Sequence, residues 1–316
     1  MYYITVPECV KALREKFPDA QNILVLNNRY PLLPQLMDIP SGQEFQIYVP
    51  DEWTHEEKQR LALQVSGGIT SLEISRNTVN GFKDEWAENA FWNYEASMEA
   101  IPVDRLQKGF GHATKRPALI IGSGPSVKGF ADGDFISYAA WSAKGYEFQP
   151  NFIGHCDHRE QQPTGKVPQN GIIFTPVCSP AFLKEYGHTR QFVYFDRGNP
   201  LSWRFAEKRG LPDHNPIQAH VVDMLIQCAI YAGHKEIKLI GCDLSCKTLE
   251  ELQRYHSTVT EAFEMQNYRG DVVYSDEIFD ICRQSIEDLA KAYPEIQFSN
   301  ISDQGAIIEG VPYEEV

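Results

Sequence analysis

The stretch "IQAHVVDMLIQCAIYAGHKEIKLIGCDL", residues 217–244, constrains the fold of this chain more than any other. Apolar side chains recur at helical spacing through Val221, Met224, Leu225, Cys228 and Ala229, and the pattern stops at Gly233, a residue suited to the left-handed turn that closes helices. The short apolar strand "IKLIG" follows at once. A helix feeding directly into a strand that is apolar on both faces is the repeating unit of a covered parallel sheet.

The same alternation runs through the second half of the chain. "PALIIGSG", "FISYAAW", "FIGHCD", "GIIFTPV" and "QFVYF" read as strands, and "SDEIFDICRQSIEDLAKAYP", with Ser275 as N-cap, reads as a helix leading into the strand "IQFSNIS". The fold class expected is α/β, a doubly wound and mostly parallel Rossmann-like sheet occupying residues 86–316. Residues 1–85 form a smaller N-terminal α/β region, with "YYITV", "PECVKALREKF", "NILVLNN", "EFQIYVP" and the charged helical "DEWTHEEKQRLALQV" in sequence. Between the two, "DEWAENAFWNYEASMEAIPVDRLQKGF" predicts a connecting helix that turns Trp86, Phe91, Trp92 and Met98 toward the core. The segment "DRGNPLSWRFAEKRGLPDHNP", residues 196–216, is expected to be a long mobile insertion near the site.

Composition narrows the partners. Lys and Arg number 29 against 43 for Asp and Glu, and a net charge of −14 gives no footing for general nucleic-acid binding. The 7 cysteines are odd in number and lack CxxC pairs, so they are expected to be reduced thiols of a cytoplasmic protein. No signal-peptide pattern opens the chain, and no run approaches the roughly eighteen apolar residues needed to span a bilayer, so no membrane partner is expected.

Chemistry is expected where strands end. In "LIIGSGPSVKG" a strand ends at Gly122, Gly124 allows close backbone approach, and Pro125 and Ser126 are placed to start a helix with outward N–H groups. Such a turn holds phosphate, but it also serves as a tight connection in an α/β core, and the local sequence is compatible with both. No GKS or GKT follows, so it is no Walker loop, and Gly129 comes too late after Gly124 for the dinucleotide fingerprint. "NFIGHCDHRE" puts His155, Asp157 and His158 at another strand end, and "KLIGCDLS" adds Asp243 and Ser245. A carboxylate there suits ribose hydroxyls, a divalent metal or an acceptor hydroxyl, and the spacing of His155, Asp157 and His158 is also compatible with a metal. His220 opens the helix of "AHVVDM", and His256 in "RYHSTVTEAF" is expected on the surface. "GSGPS" is not GxSxG, which disfavours a serine hydrolase.

Several segments in order resemble one family. "FWNYEASMEAI…RPALIIGSGPSV", "PNFIGHCD", "AHVVDMLIQCAIYAGHKEIKLIGCDLS", "YRGDVVYS" and "SNISDQGAIIEGVPY" are similar to the MptE-like 6-hydroxymethylpterin diphosphokinases and to the related motility accessory factor (Maf) glycosyltransferases. The glycine turn and the "GHKEIKLIGCDLS" unit are distantly similar to small bacterial sialyltransferases. By that resemblance Gly122, Ser123, Gly124, Pro125 and Ser126 form the nucleotide-phosphate turn, Asp157 is the polar strand-end residue, His220 opens the phosphate-side helix and Asp243 is the strand-end carboxylate. Ser123 stands where the sialyltransferases have Asn, and "VVYSDE", with Tyr274 and Ser275, occupies the approximate region of their catalytic histidine.

The resulting expectation is a nucleotide-dependent transferase. The favoured form is a glycosyltransferase that takes a CMP- or UDP-linked sugar to an acceptor hydroxyl, with Asp157 or His155 as base and with Ser245 among the nucleotide-binding residues. The alternative is a diphosphokinase moving pyrophosphate from ATP to a hydroxymethylated pterin, with Mg²⁺ held by Asp157 and Asp243. A non-catalytic nucleotide-binding protein is the third reading. The acceptor is open among protein, glycan, pterin and modified base.

Overall fold

The computed structural model describes residues 2–5, 9–25, 45–49, 85–106, 115–131, 133–159, 165–211, 214–215, 217, 219–256 and 262–315. The chain divides into two compact units, Met1–Gly81 and Phe82–Val316. The helix expected from "DEWTHEEKQRLALQV" lies outside the described residues.

In the first unit β1 (Tyr2–Thr5), α1 (Val10–Lys16), β2 (Ile23–Val25) and β3 (Phe45–Tyr48) build a parallel three-stranded sheet of order β2-β1-β3. Ile4 and Leu13 are fully buried, and the Thr5 hydroxyl donates to the Tyr48 carbonyl at 2.7 Å. The sheet and helix thus share a small apolar core.

The second unit is an α/β, Rossmann-like fold. Its strands are β4 (Ile101–Pro102), β5 (Ala118–Ile121), β6 (Ile136–Ala140), β7 (Phe152–His155), β8 (Gly171–Phe174), β9 (Gln191–Val193), β10 (Glu236–Ile240) and β13 (Gln297–Asn300). They pair in the order β13-β10-β5-β6-β7-β8-β9-β4, parallel throughout. From β5 the chain steps outward to β9, then returns to the other side of β5 with β10. The order therefore reverses between β5 and β10, and ligands of such sheets bind beyond the carboxyl ends of the strands at a reversal of this kind.

Both faces of the sheet are covered, which is why its strands are uniformly apolar. Along β5 all four residues are buried. On one face α5 (Val221–Tyr231) packs on β5, β6 and β7, with α7 (Glu277–Ala292) against it. Gly154 in β7 permits this approach, since a Cβ there would stand 2.5 Å from Leu225 Cδ2. A second core joins Trp141, Phe174 and Phe195 to α3 (Pro180–Tyr186) and α4 (Pro200–Arg209), while α2 (Tyr94–Glu99) packs on α4. The antiparallel pair β11 (Ala262–Gln266) and β12 (Val272–Asp276) and the helix α6 (Leu249–Tyr255) stand between β10 and α7.

Four local expectations are corrected. The connecting helix covers residues 85–92 and α2, then gives way to β4, and it exposes Phe91 and Trp92 by 73% and 66%. Its inward face carries two amides beside the buried Ala90 and Ser97: Asn93 Nδ2 donates to the carbonyls of Pro176 (3.1 Å) and Cys178 (2.8 Å), and Asn89 Nδ2 to those of His158 and Val177. Within the segment expected to be a loose insertion, residues 200–209 form α4, which is closed at both ends. Asn199 Oδ1 accepts from the Leu201 and Ser202 amides, and Gly210 adopts φ 61°. The N-cap of α7 is Asp276, accepting from the Phe279 amide at 2.9 Å, while Ser275 stays in β12. After the glycine turn the chain makes a single 3-10 turn, Pro125–Val127, and no α-helix.

Candidate functional site

At the reversal point the loop after β5 is locked onto the loop after β10. The Gly122 amide donates to the Ile240 carbonyl at 2.8 Å and the Gly124 amide to the Gly241 carbonyl at 2.7 Å. Ser126 Oγ accepts from the Gly241 amide at 3.0 Å, and the Ser126 amide donates to Asp243 Oδ2 at 2.9 Å. Glycine is required by this contact itself: a Cβ at residue 122 would lie 2.3 Å from the Gly241 oxygen, and one at residue 124 would lie 2.4 Å from Asp243 Oδ2. The amides of Gly124 and Ser126 are thereby occupied within the protein, and Pro125 has none. Among the described residues the Ser123 amide keeps no partner, and its exposed side chain hydrogen-bonds Ser142 Oγ at 2.6 Å.

Asp243 is the hinge of this arrangement. Only 5% exposed, it offers Oδ2 to Ser126 while Oδ1 is buried without a hydrogen-bond partner. Burial pushes its carboxyl above the usual range, although the Ser126 hydrogen bonds and Lys247 act the other way. Ser245 holds the loop from behind, its hydroxyl donating to the Asp243 carbonyl and accepting from the Ala306 amide, both at 3.0 Å. Ser245 is thus a support for Asp243 in this arrangement.

The end of β7 is a separate cluster. His155 is 1% exposed, with Trp141 and Phe182 at ring-centroid distances of 4.5 Å and 5.3 Å, and its Nε2 is buried without a partner. Burial lowers its pKa to about 4, which favours a neutral imidazole in this aromatic enclosure. Asp157 receives Arg159 from its main chain (3.1 Å to Oδ1) and its guanidinium (3.1 Å to Oδ2), and lies 3.1 Å from His158 Nδ1. Burial raises the Asp157 carboxyl, but Arg159 and His158 outweigh it and keep it below the usual range. An ionised carboxylate already matched by a guanidinium is a weak base.

Asp157 follows β7 and Asp243 follows β10. Their strands, β7 and β10, are separated by β5 and β6. Three interstrand steps set those two strands about 14 Å apart. Among the described residues no group of three His, Cys, Asp or Glu is placed to hold a metal, His155, Asp157 and His158 included.

His220 opens α5 beside a fully buried carboxylate. Asp223 accepts from the amides of Ala219 and His220 at Oδ2 and from Ser285 Oγ at Oδ1, which also lies 3.1 Å from His220 Nδ1. Burial opposes ionisation of Asp223, but His220 and these donors together lower its pKa. Two further features escaped the sequence reading. Asp196, after β9, accepts from the Gly198 and Ile217 amides, and burial raises its carboxyl pKa to about 7. His256, expected on the surface, is instead half-buried, its Nδ1 2.5 Å from Asp276 Oδ2 and its ring 4.6 Å from that of Phe279. An i to i+20 pairing leaves no local spacing signal from which it could be read.

No protein-family model matches the chain, and no curated protein matches it. A solved structure of a Maf glycosyltransferase from Magnetospirillum magneticum AMB-1 is similar over 96% of this chain at 15% identity, with a TM-score of 0.47. This chain covers 50% of that protein's length. Among the described residues no helix is long and apolar enough to cross a membrane.

Proposed function

We propose that this chain is a nucleotide-dependent transferase, a glycosyltransferase that moves a sugar from a CMP- or UDP-linked donor to an acceptor hydroxyl. The observation that carries the reading is the position of the 122–126 turn and Asp243 on either side of the strand-order reversal between β5 and β10. Ligands of open α/β sheets bind there. Asp243 Oδ1 is a buried acceptor in need of a donor, and a ribose hydroxyl supplies one. The Ser123 amide and the paired hydroxyls of Ser123 and Ser142 are donors for a phosphate oxygen beside it. The donor phosphate accordingly sits over Ser123, with Gly122, Gly124, Pro125 and Ser126 shaping the turn, and His220 lies at the start of α5.

Pyrophosphate transfer from ATP is less well supported. That reaction depends on cations gathered around the polyphosphate, with a metal held by several carboxylates. Asp157 and Asp243 follow strands that stand three steps apart in the sheet. Of the cations near the strand ends, Arg159 is engaged by Asp157, Lys166 stands 5.4 Å over the Tyr146 ring, and Lys128 is exposed just after the Pro125–Val127 turn.

Thermal-shift measurements with CMP, UDP, their sugar conjugates, and ATP with and without Mg²⁺ test the reading. Stabilisation by a cytidine or uridine nucleotide, lost in Gly124→Val, is the expected result. Stabilisation by ATP that depends on Mg²⁺ would replace it with the diphosphokinase, and no response to any nucleotide would remove both.

A further inference from the structure

We propose that the loop after β13, through the Gln304 side chain and the Gly305 amide, recognises the pyrimidine base of the donor nucleotide; this rests on the transferase reading above. β5, β10 and β13 stand side by side, with the 122–126 turn after β5, Asp243 after β10 and residues 301–308 after β13. With a phosphate over Ser123 and a ribose hydroxyl on Asp243, a nucleotide runs from β5 toward β10, and the next strand in that direction is β13. Two interstrand steps are about 10 Å, the reach from a 5′-phosphate across its ribose to the base. The sugar to be transferred leaves the phosphate on the other side, toward Ser142 after β6.

The loop is pinned against Asp243. The Ala306 amide donates to the Asp243 carbonyl at 2.8 Å, and a Cβ on Gly305 would lie 2.6 Å from Asp243 Cα and 2.7 Å from its carbonyl oxygen. Only glycine lets the two backbones meet there. The Ser302 amide donates to Asn300 Oδ1 at 3.1 Å, the Gln304 amide to Ser302 Oγ at 3.3 Å, and the Ile307 amide to the Gln266 carbonyl of β11 at 3.1 Å. Asp303 is held by the Arg269 guanidinium at 2.7 Å. Two groups are left over. Among the described residues the amide of the buried Gly305 has no hydrogen-bond partner, and a buried N–H in that state marks a place for an acceptor. The side chain of the half-buried Gln304 likewise makes no hydrogen bond among the described residues.

A pyrimidine presents its O2 carbonyl next to the glycosidic bond, the position nearest the ribose and so nearest Gly305. Its N3 and its 4-substituent lie farther out, toward Gln304. Cytosine offers an acceptor at N3 and donors at N4, and uracil offers the reverse, a donor at N3 and an acceptor at O4. A primary amide carries both a carbonyl oxygen and two N–H donors, so Gln304 satisfies either base by turning its amide over.

The test measures binding of CMP, UMP, AMP and ribose 5-phosphate, each up to millimolar concentration, to the full chain by calorimetric titration. Gln304→Leu keeps much of the side-chain volume and removes both hydrogen-bonding groups, and Gln304→Ala is a smaller change to the same end. Since the side chain makes no internal hydrogen bond, both variants are expected to melt with wild type. Both are expected to weaken the pyrimidine nucleotide that wild type binds by about 3–10-fold, the worth of a neutral hydrogen bond, and to leave ribose 5-phosphate, which has no base, unchanged. AMP is expected to bind wild type no more tightly than ribose 5-phosphate. Unchanged CMP and UMP binding in the variants, an equal loss for ribose 5-phosphate, or AMP bound by wild type as tightly as the pyrimidine nucleotides overturns the proposal while the transferase reading stands. A wild-type chain that binds neither CMP nor UMP overturns the transferase reading and this proposal with it.

Discussion

Asp243 accepts the amide proton of Ser126 at 2.9 Å, and with the Gly122, Gly124 and Gly241 amides this hydrogen bond fixes the loop after β5 to the loop after β10. A substitution that forces the two loops apart therefore acts on the fold and on the site together. Gly124→Ala places a methyl group 2.4 Å from Asp243 Oδ2 and 2.8 Å from the Gly241 carbonyl. The expected cost is about 1–3 kcal/mol of stability by urea denaturation, the range for forced overpacking, with loss of nucleotide-induced stabilisation. Gly129→Ala is the control, having φ 78° and no atom within 4 Å of an added Cβ. It is expected to cost about 1–2 kcal/mol from its left-handed backbone alone and to leave the nucleotide response intact. Equal nucleotide responses in the two variants would separate the turn from the site.

Asp243→Asn distinguishes a carboxylate kept for a ligand from one kept for the fold. Burial penalises the charge, so the free variant is expected to melt no lower than wild type at neutral pH. The amide oxygen still accepts from Ser126. Donor binding is expected to weaken by about 1.5–3 kcal/mol, the strength of a hydrogen bond to a charged group, as measured by calorimetric titration. A variant that melts lower and binds nucleotide normally would make Asp243 purely structural.

The sheet was legible because its signal is local. Each of β5, β6, β7, β8 and β10 is a short apolar run, and the helix before β10 carries its own period and its closing glycine. Side-chain direction was not. Phe91 and Trp92 sit at core-like spacing, yet the helix faces inward through Asn89 and Asn93, whose partners are carbonyls more than sixty residues away. The glycine turn was found for a partly different reason than its real one. Gly122 and Gly124 answer first to the backbone of Gly241 and the side chain of Asp243, and this contact across strands occupies amides that a local reading leaves to phosphate. Asp276 reads as one more helix-start acid until the fold brings His256 to it.

Asp196 makes the protein less stable as pH rises from about 4 to 7. Its carboxyl titrates at about 7 in the folded chain, because burial outweighs the two amides it accepts from, and at 3.8 when unexposed to that environment. Between those values the native state binds the proton that the unfolded chain has released, so stability falls as pH rises, and the full penalty is present above pH 7. Asp196→Asn keeps an oxygen for the Gly198 and Ile217 amides and removes the charge. Its stability relative to wild type is expected to rise from pH 4 to pH 7 and then level off, measured by urea denaturation across that range. A difference that does not vary with pH would place the Asp196 proton elsewhere.

His155 imposes the opposite slope. Burial between Trp141 and Phe182 lowers its pKa from 6.5 to about 4, so above 6.5 both states hold it neutral and it contributes nothing to pH dependence. As pH falls from 6.5 toward 4 the unfolded chain takes up a proton that the native imidazole refuses, and wild-type stability declines. His155→Phe cannot charge and fits an aromatic enclosure. The variant's stability relative to wild type is therefore expected to increase by about 2–3 kcal/mol between pH 7 and pH 4.5, each pK unit being worth about 1.4 kcal/mol. Urea denaturation of both proteins at the two pH values measures that change. A difference that stays constant would mean that His155 charges normally in the folded protein, and that its ring is open to solvent at the end of β7.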